Sequence, residues 1–222
     1  MNDMLIRPLA VLLAACIAAL IGGCISLGLG GSESSALAQY RLEDASPKVK
    51  ARATPIDRRL LISTLPSETI GDTYSMAYTR AAHQRQYYQF ASWTDRPSAR
   101  IVQLLLERVE ARGVFESVSR LGGGIGGGLT LNVGVNEFVH DIRAGTARIE
   151  VTAELIERRG RILVDRKRFT ASAQVAEENA PSAVAAWSQA LTKLLDELVP
   201  WLESTAEALP PPEPRPPRDG KS

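Results

Sequence analysis

Apolar residues recur along the chain with three spacings, and each spacing predicts a different element. Ala147, Ile149, Val151, Ala153 and Leu155 alternate with Arg148, Glu150, Thr152 and Glu154. A period of two buries one face of a strand and leaves the other in water. Leu129, Leu131, Val133 and Val135 alternate in the same way, and residues 162–174 return after the turn Arg158-Arg159-Gly160-Arg161. Three such strands joined by short turns predict an antiparallel meander. Arg59 to Leu65 is a nearly continuous apolar run of strand length, stopped by Pro66. Thr73–Arg80 and Gln86–Ala91 predict the arms of a hairpin bent at residues 81–85. Shorter strands are expected at Tyr40-Arg41-Leu42 and at residues 114–118.

Two segments carry helical spacing. Ile101, Leu104, Leu105 and Val109 line one face of the first. Thr94-Asp95-Arg96-Pro97 supplies a capping side chain and a first-turn proline, and Gly113 a left-handed stop. Asn179 to Ser182, with Pro181, starts the second helix. Val184, Trp187, Leu191, Leu194, Leu195 and Leu198 form its stripe, and Pro200 ends or kinks it. The order predicts an α+β domain, an antiparallel sheet with two helices packed on one face.

The two ends follow different rules. A short apolar stretch follows Arg7 and closes on Leu20-Ile21-Gly22-Gly23-Cys24. A charged start, an apolar run and small residues before a cut form a secretory signal. A cysteine just after the cut marks a lipoprotein signal, in which the thiol takes a diacylglycerol and the new amino group a further acyl chain such as palmitate. Leu13-Ala14-Ala15-Cys16 fits the same pattern. Cutting at Cys24 uses the whole apolar stretch and leaves a polar start, so Cys24 is the expected lipidation site. Leu9–Ile21 falls short of the ~20 apolar residues that span a bilayer. Residues 1–23 thus read as signal, 24–38 as a flexible Gly/Ser tether, 39–206 as one domain, and 207–222 as a disordered Pro-rich tail.

Composition narrows the chemistry. Lys and Arg number 26 against 25 Asp and Glu, so net charge suggests neither nucleic acid nor an acidic substrate. Both cysteines lie in the signal region, which leaves no disulfide and no cysteine metal site in the mature fold. His83 and His140 are the two histidines, too few for the usual zinc enzyme, and no metal or cofactor is expected.

Among the motifs, the glycine run 122–128 formally contains Gly122-x-Gly124-x-x-Gly127, but a strand follows it where a phosphate site needs a helix. It reads as a hairpin connection. His140-Asp141 has no nucleophile motif beside it and reads as a solvated strand end rather than a catalytic dyad, so no catalytic residue is assigned. The basic turn Arg158, Arg159, Arg161 with Arg166, Lys167 and Arg168 reads as a solvated face or as a contact for anionic lipid or an acidic partner. Tyr78, Arg80, Arg85, Tyr87, Tyr88 and Trp93 are concentrated in and beside the predicted hairpin. They read either as sheet packing or as a partner-binding edge, since Tyr and Arg combine contact area with polar ends.

Several of these segments together resemble the PqiC-like auxiliary lipoproteins of ABC-type lipid transport systems. They are Cys24, Tyr40-Arg41-Leu42, Met76-Ala77-Tyr78-Thr79-Arg80, Tyr87-Tyr88, Trp93-Thr94-Asp95-Arg96-Pro97 and Gly113-Val114-Phe115, followed by Glu137-Phe138, Arg168-Phe169 and the Trp187–Trp201 helix. The resemblance covers about residues 38–205, and the glycine run departs from it. It implies a non-enzymatic lipoprotein on the periplasmic face of a Gram-negative outer membrane. The implied partners are an MCE-domain shuttle protein, a permease, an ATPase and the bilayer that holds the acyl anchor, with possible self-association. Ile25, where an aspartate often retains lipoproteins in the inner membrane, is consistent with the outer one. A stand-alone structural or assembly lipoprotein of the envelope is the alternative.

Overall fold

The computed structural model describes residues 36–46, 51–65, 72–122 and 128–211. The chain divides into two compact units, Met1–Ala36 and Leu37–Ser222, and every element below belongs to the second. Among the described residues, eight strands and two helices follow in the order β1 (Ala38–Tyr40), β2 (Ile56–Thr64), β3 (Ser75–Thr79), β4 (Gln86–Trp93), α1 (Pro97–Arg112), β5 (Phe115–Arg120), β6 (Leu129–Asp141), β7 (Thr146–Glu157), β8 (Ile162–Gln174) and α2 (Ala180–Glu207).

The strands form one sheet built around β6. On one edge, β7 and β8 continue it as the expected antiparallel meander. The other edge is shared. β2 pairs with Leu129–Val133, and β3 with His140 and Asp141. β5 lies beyond β2, while β4 and β1 lie beyond β3. The α+β class is as expected, but the sheet is mixed rather than wholly antiparallel: β1–β4, β2–β5, β2–β6 and β3–β6 are parallel. Parallel neighbours are joined by long crossovers, which the alternation within each strand does not encode.

Both helices pack against this sheet and against each other. Ile101, Leu105 and Val109 of α1 join Leu60, Ile62, Leu129 and Leu131 in a core that continues through Val151, Ala153, Trp187, Leu191 and Leu195. Gly113 closes α1 in the left-handed region at φ 61°, as expected. The amino end of α1 differs from expectation. Arg96 is its cap and makes no side-chain capping bond. Asp72 supplies the carboxylate instead, accepting from the Ser98 N–H at 2.9 Å and its hydroxyl at 2.7 Å.

Asn179 caps α2 by accepting from the Ser182 N–H at 2.8 Å. The helix then runs through Pro200, where a stop or kink was expected. An interior proline removes a backbone donor and costs about 3 kcal/mol. Leu202 and Ala206 are fully buried beyond it, and Trp201 packs on Phe169 at 5.5 Å and donates to Asp165 at 2.8 Å. Those contacts hold the last turns in place.

Arg108 ties the layers together. Its guanidinium bonds Asp44 at 2.5 and 2.8 Å and Asp196 of α2 at 2.6 Å. Burial opposes the ionised form of Asp44, but the hydrogen bonds and charge of Arg108 hold its carboxyl below the usual range. Arg112 pairs similarly with Glu203 of α2.

Candidate functional site at the aromatic hairpin

β3 and β4 form the expected hairpin, and its register is broken. Ala77 lies opposite Tyr87 but Ser75 lies opposite Ser92, so two steps on β3 face five on β4. The bulge changes which side chains share a face. Tyr88 and Trp93 are an odd number of residues apart and would alternate to opposite sides of a regular strand. Here both rings turn to the core side. β6 carries a second bulge between Val135 and Glu137, which keeps Phe138 and His140 on the face that Leu129–Val135 already bury.

These two bulges build one aromatic cluster. Trp187 stacks on Phe138 with centroids 5.0 Å apart, and Trp93 meets both edge-on, at 5.3 Å from Trp187 and 5.6 Å from Phe138. His140 closes the cluster, 6.3 Å from Trp187 and parallel to Tyr88. The Tyr88 hydroxyl lies 2.7 Å from His140 Nδ1. Burial raises the Tyr88 phenol to about 12. Burial also lowers His140 below 6.5, against the opposing fields of Glu178 and Asp141. Burial disfavours the charged form of both groups, so the pair makes a neutral hydrogen bond whose direction follows the His140 tautomer.

His140 is thus not the solvated strand end that the sequence suggested. It is only 1% exposed, because the bulge turns it inward. Its bonded neighbour is Tyr88, not Asp141. Asp141 instead accepts from the Arg143 and Ala144 N–H groups in the following turn.

The six partner-binding candidates separate into three environments. Tyr78, Arg80, Tyr87 and Tyr88 line one groove of about 670 Å³ with Ile142 and Glu178. Arg80 lies 5.5 Å over the Tyr78 ring and pairs with Glu178, just ahead of α2. Arg85 lines a separate groove of about 960 Å³ with His83, Glu137 and Arg143. Trp93 is buried in the aromatic cluster and belongs to the packing.

Outside the candidate set, the structure adds Tyr74 and Phe90 to the exposed surface. Phe90 is 55% exposed and Tyr87 43%. β1 covers only Ala91–Trp93, so Gln86–Phe90 of β4 has no outer partner strand among the described residues. A strict period of two puts Phe90 on the same face as Tyr88, and the irregular register of β4 gives the two rings different environments. Cys24 and most of the glycine run lie outside the described residues.

Among the described residues, no group of three or more His, Cys, Asp or Glu side chains is placed to hold a metal ion. Nor is any helix among them long and apolar enough to cross a membrane.

Comparison with known proteins agrees with this fold. Protein XCC0632 from Xanthomonas campestris, of the DUF330 family, superposes with a TM-score of 0.67 at 22% identity, covering 77% of this chain and 97% of its own. A second solved structure, of an uncharacterized protein, gives 0.59 at 14% identity and covers 75% of this chain and 99% of its own. Among curated proteins, no relative matches. The family model of the ABC-type transport auxiliary lipoprotein component matches residues 40–199, from the first strand through most of α2. With the match spanning nearly every element that builds the sheet, the aromatic cluster and the hairpin, this chain belongs to the ABC-type transport auxiliary lipoprotein component family.

Proposed function

We propose that the protein is a non-enzymatic accessory of an MCE-type lipid transport system, anchored through acylated Cys24 to the periplasmic face of the outer membrane. The aromatic hairpin docks with the periplasmic shuttle component. The observation that carries this reading is the edge of β4, where Tyr87 and Phe90 stand exposed beside backbone with no outer partner strand among the described residues. An uncovered strand edge offers main-chain donors and acceptors to a partner strand, and flanking aromatic rings add contact area. Arg80, lying over the Tyr78 ring, ties the hairpin to Glu178.

A catalytic role has little to stand on. His140 is enclosed by aromatic rings, and its Nδ1 faces a phenol held at about 12. Membership of an auxiliary component family also points to positioning rather than chemistry.

The test is affinity purification of the tagged full-length protein from gently solubilised native envelopes, with mass spectrometry of what accompanies it. Enrichment of an MCE protein, a permease and an ATPase is expected. Tyr87→Ala with Phe90→Ala should reduce their recovery while the chain stays membrane-bound, and Cys24→Ala should prevent acylation. Recovery of barrel or cell-wall components alone would overturn the transport reading and favour a stand-alone assembly lipoprotein.

A further inference from the structure

The β7–β8 turn lies at the other end of the sheet from the hairpin bend, since Leu129 pairs with Glu157 while Asp141 aligns with Thr79. Its residues 157–163 are Glu-Arg-Arg-Gly-Arg-Ile-Leu. Glu157, the sole carboxylate among them, accepts from the Arg159 N–H at 2.8 Å and the Gly160 N–H at 2.6 Å. The carboxylate is thereby directed at the turn's own backbone, which holds it below the usual range.

A Cβ at Gly160 would meet only the movable, exposed end of Ile162, 2.9 Å from its Cδ1, so the shape of the turn rests on the Glu157 bonds to its backbone. Arg161 takes the left-handed conformation at φ 53°. The turn is therefore a defined shape and not a loose loop. It presents Ile162 at 60% and Leu163 at 50% exposure, directly after three arginines. Farther along β8, Arg166 pairs with Glu154 and Arg168 lies 3.5 Å from Glu150. At the tip, Arg158 and Arg161 bring positive charge beside the exposed aliphatic side chains.

We propose that this tip, residues 158–163, docks on an anionic lipid surface, with Ile162 and Leu163 entering the headgroup boundary and Arg158 and Arg161 binding phosphates. Charge complementarity selects the surface, since anionic leaflets attract basic segments. Shape selects lipid over an acidic protein. A convex tip ending in two aliphatic chains needs a matching cavity in a folded partner, whereas a bilayer yields to it.

Chain length permits the contact. The 14 steps from Cys24 to Ala38 can span at most about 50 Å. β6, with 13 residues, is about 43 Å long. A domain tethered at Cys24 can thus bring either end of its sheet to the same membrane. The proposal rests on the anchored reading only for supplying that bilayer, and it is independent of what the hairpin binds.

The experiment uses the full lipoprotein in vesicles of phosphatidylcholine, alone or mixed with phosphatidylglycerol. Leu163→Cys carries an environment-sensitive fluorophore, and Ser172→Cys serves as the control. Quenching by a lipid-borne quencher is expected at position 163 only, in the phosphatidylglycerol vesicles only, and reversed by salt. Each arginine near an anionic surface contributes about fivefold, so Arg158→Gln with Arg161→Gln should lower the docked-to-undocked ratio about 25-fold.

Equal quenching in both lipid mixtures would overturn the proposal, as would quenching in neither. Protection of the label only when envelope proteins are added would assign the tip to an acidic protein instead. Vesicle flotation reports the acyl anchor separately. If the chain does not float, the anchored reading fails, and salt-sensitive binding to the same vesicles added from solution still decides the tip.

Discussion

At His140 a titratable ring sits between Tyr88 and Trp187, in reach of the fields of Glu178, Asp141 and Arg80. Burial lowers its folded pKa below the unfolded 6.5. As pH falls, the unfolded chain takes up the proton first, so stability is present above that value and lost below it. Thermal unfolding scans should show a melting temperature that falls as pH drops below about 6.5. His140→Asn should flatten that part of the profile whatever it does to absolute stability. Asp44, held low by Arg108, contributes a separate loss below 3.8.

Trp187 offers a second test at this scale. Its indole N–H is buried with no acceptor among the described residues. Trp187→Ala should cost about 3–5 kcal/mol, because the aromatic cluster loses its centre. Trp187→Phe should cost well under half of that. It keeps the ring on Phe138 and removes a donor that is buried without a partner. Denaturant titration separates the two, and equal losses would mean that the indole shape, not ring burial, sets the cost.

Between elements, the helices depend on polar ties as well as on their apolar stripes. The Arg108 guanidinium is almost wholly buried between Asp44 and Asp196. Removing one partner of a buried pair leaves the other charge without its counterion, so Arg108→Ala should destabilise by about 3 kcal/mol. Asp196→Ala should cost far less, because that carboxylate is 59% exposed, water can take its place on Arg108, and the Asp44 pair remains. Comparable losses in the two variants would contradict this asymmetry. α2 carries the same lesson in its chain direction. Pro200 reads as a break by local rules, yet the burial of Leu202 and Ala206 and the Trp201–Asp165 bond continue the helix to Glu207.

Across the whole folded unit, β6 separates two surfaces. The open edge of β4 lies toward one end of the sheet, and the arginine tip of β7–β8 lies at the other. Sites this far apart, with no shared partners, are expected to act additively. Combining Tyr87→Ala and Phe90→Ala with Arg158→Gln and Arg161→Gln should therefore lower partner recovery and vesicle docking each by its own factor. None of the four should shift the melting temperature by more than about 0.5 kcal/mol equivalent, since exposed side chains carry little folding energy. Coupled losses would show that one surface reaches the other through the sheet.

The α+β class, the β6–β8 meander, the Gly113 stop and the Asn179 cap were all legible in the sequence, because each depends on spacing or on a residue's own backbone preference. So was the family resemblance, which the match over residues 40–199 supports. Tertiary structure alone decided the rest. Parallel pairing of β2 and β3 along one edge of β6 joins residues far apart in the chain, and alternation within a strand is silent about neighbours. Two bulges, at Asn136 and in β4, change the facing of every side chain beyond them. They place His140 inside, half-bury Tyr88 against it and leave Phe90 in water, although a strict period of two puts Tyr88 and Phe90 on the same face. A side chain's character is written in its type, but its environment here was set by the extra residues at two bulges.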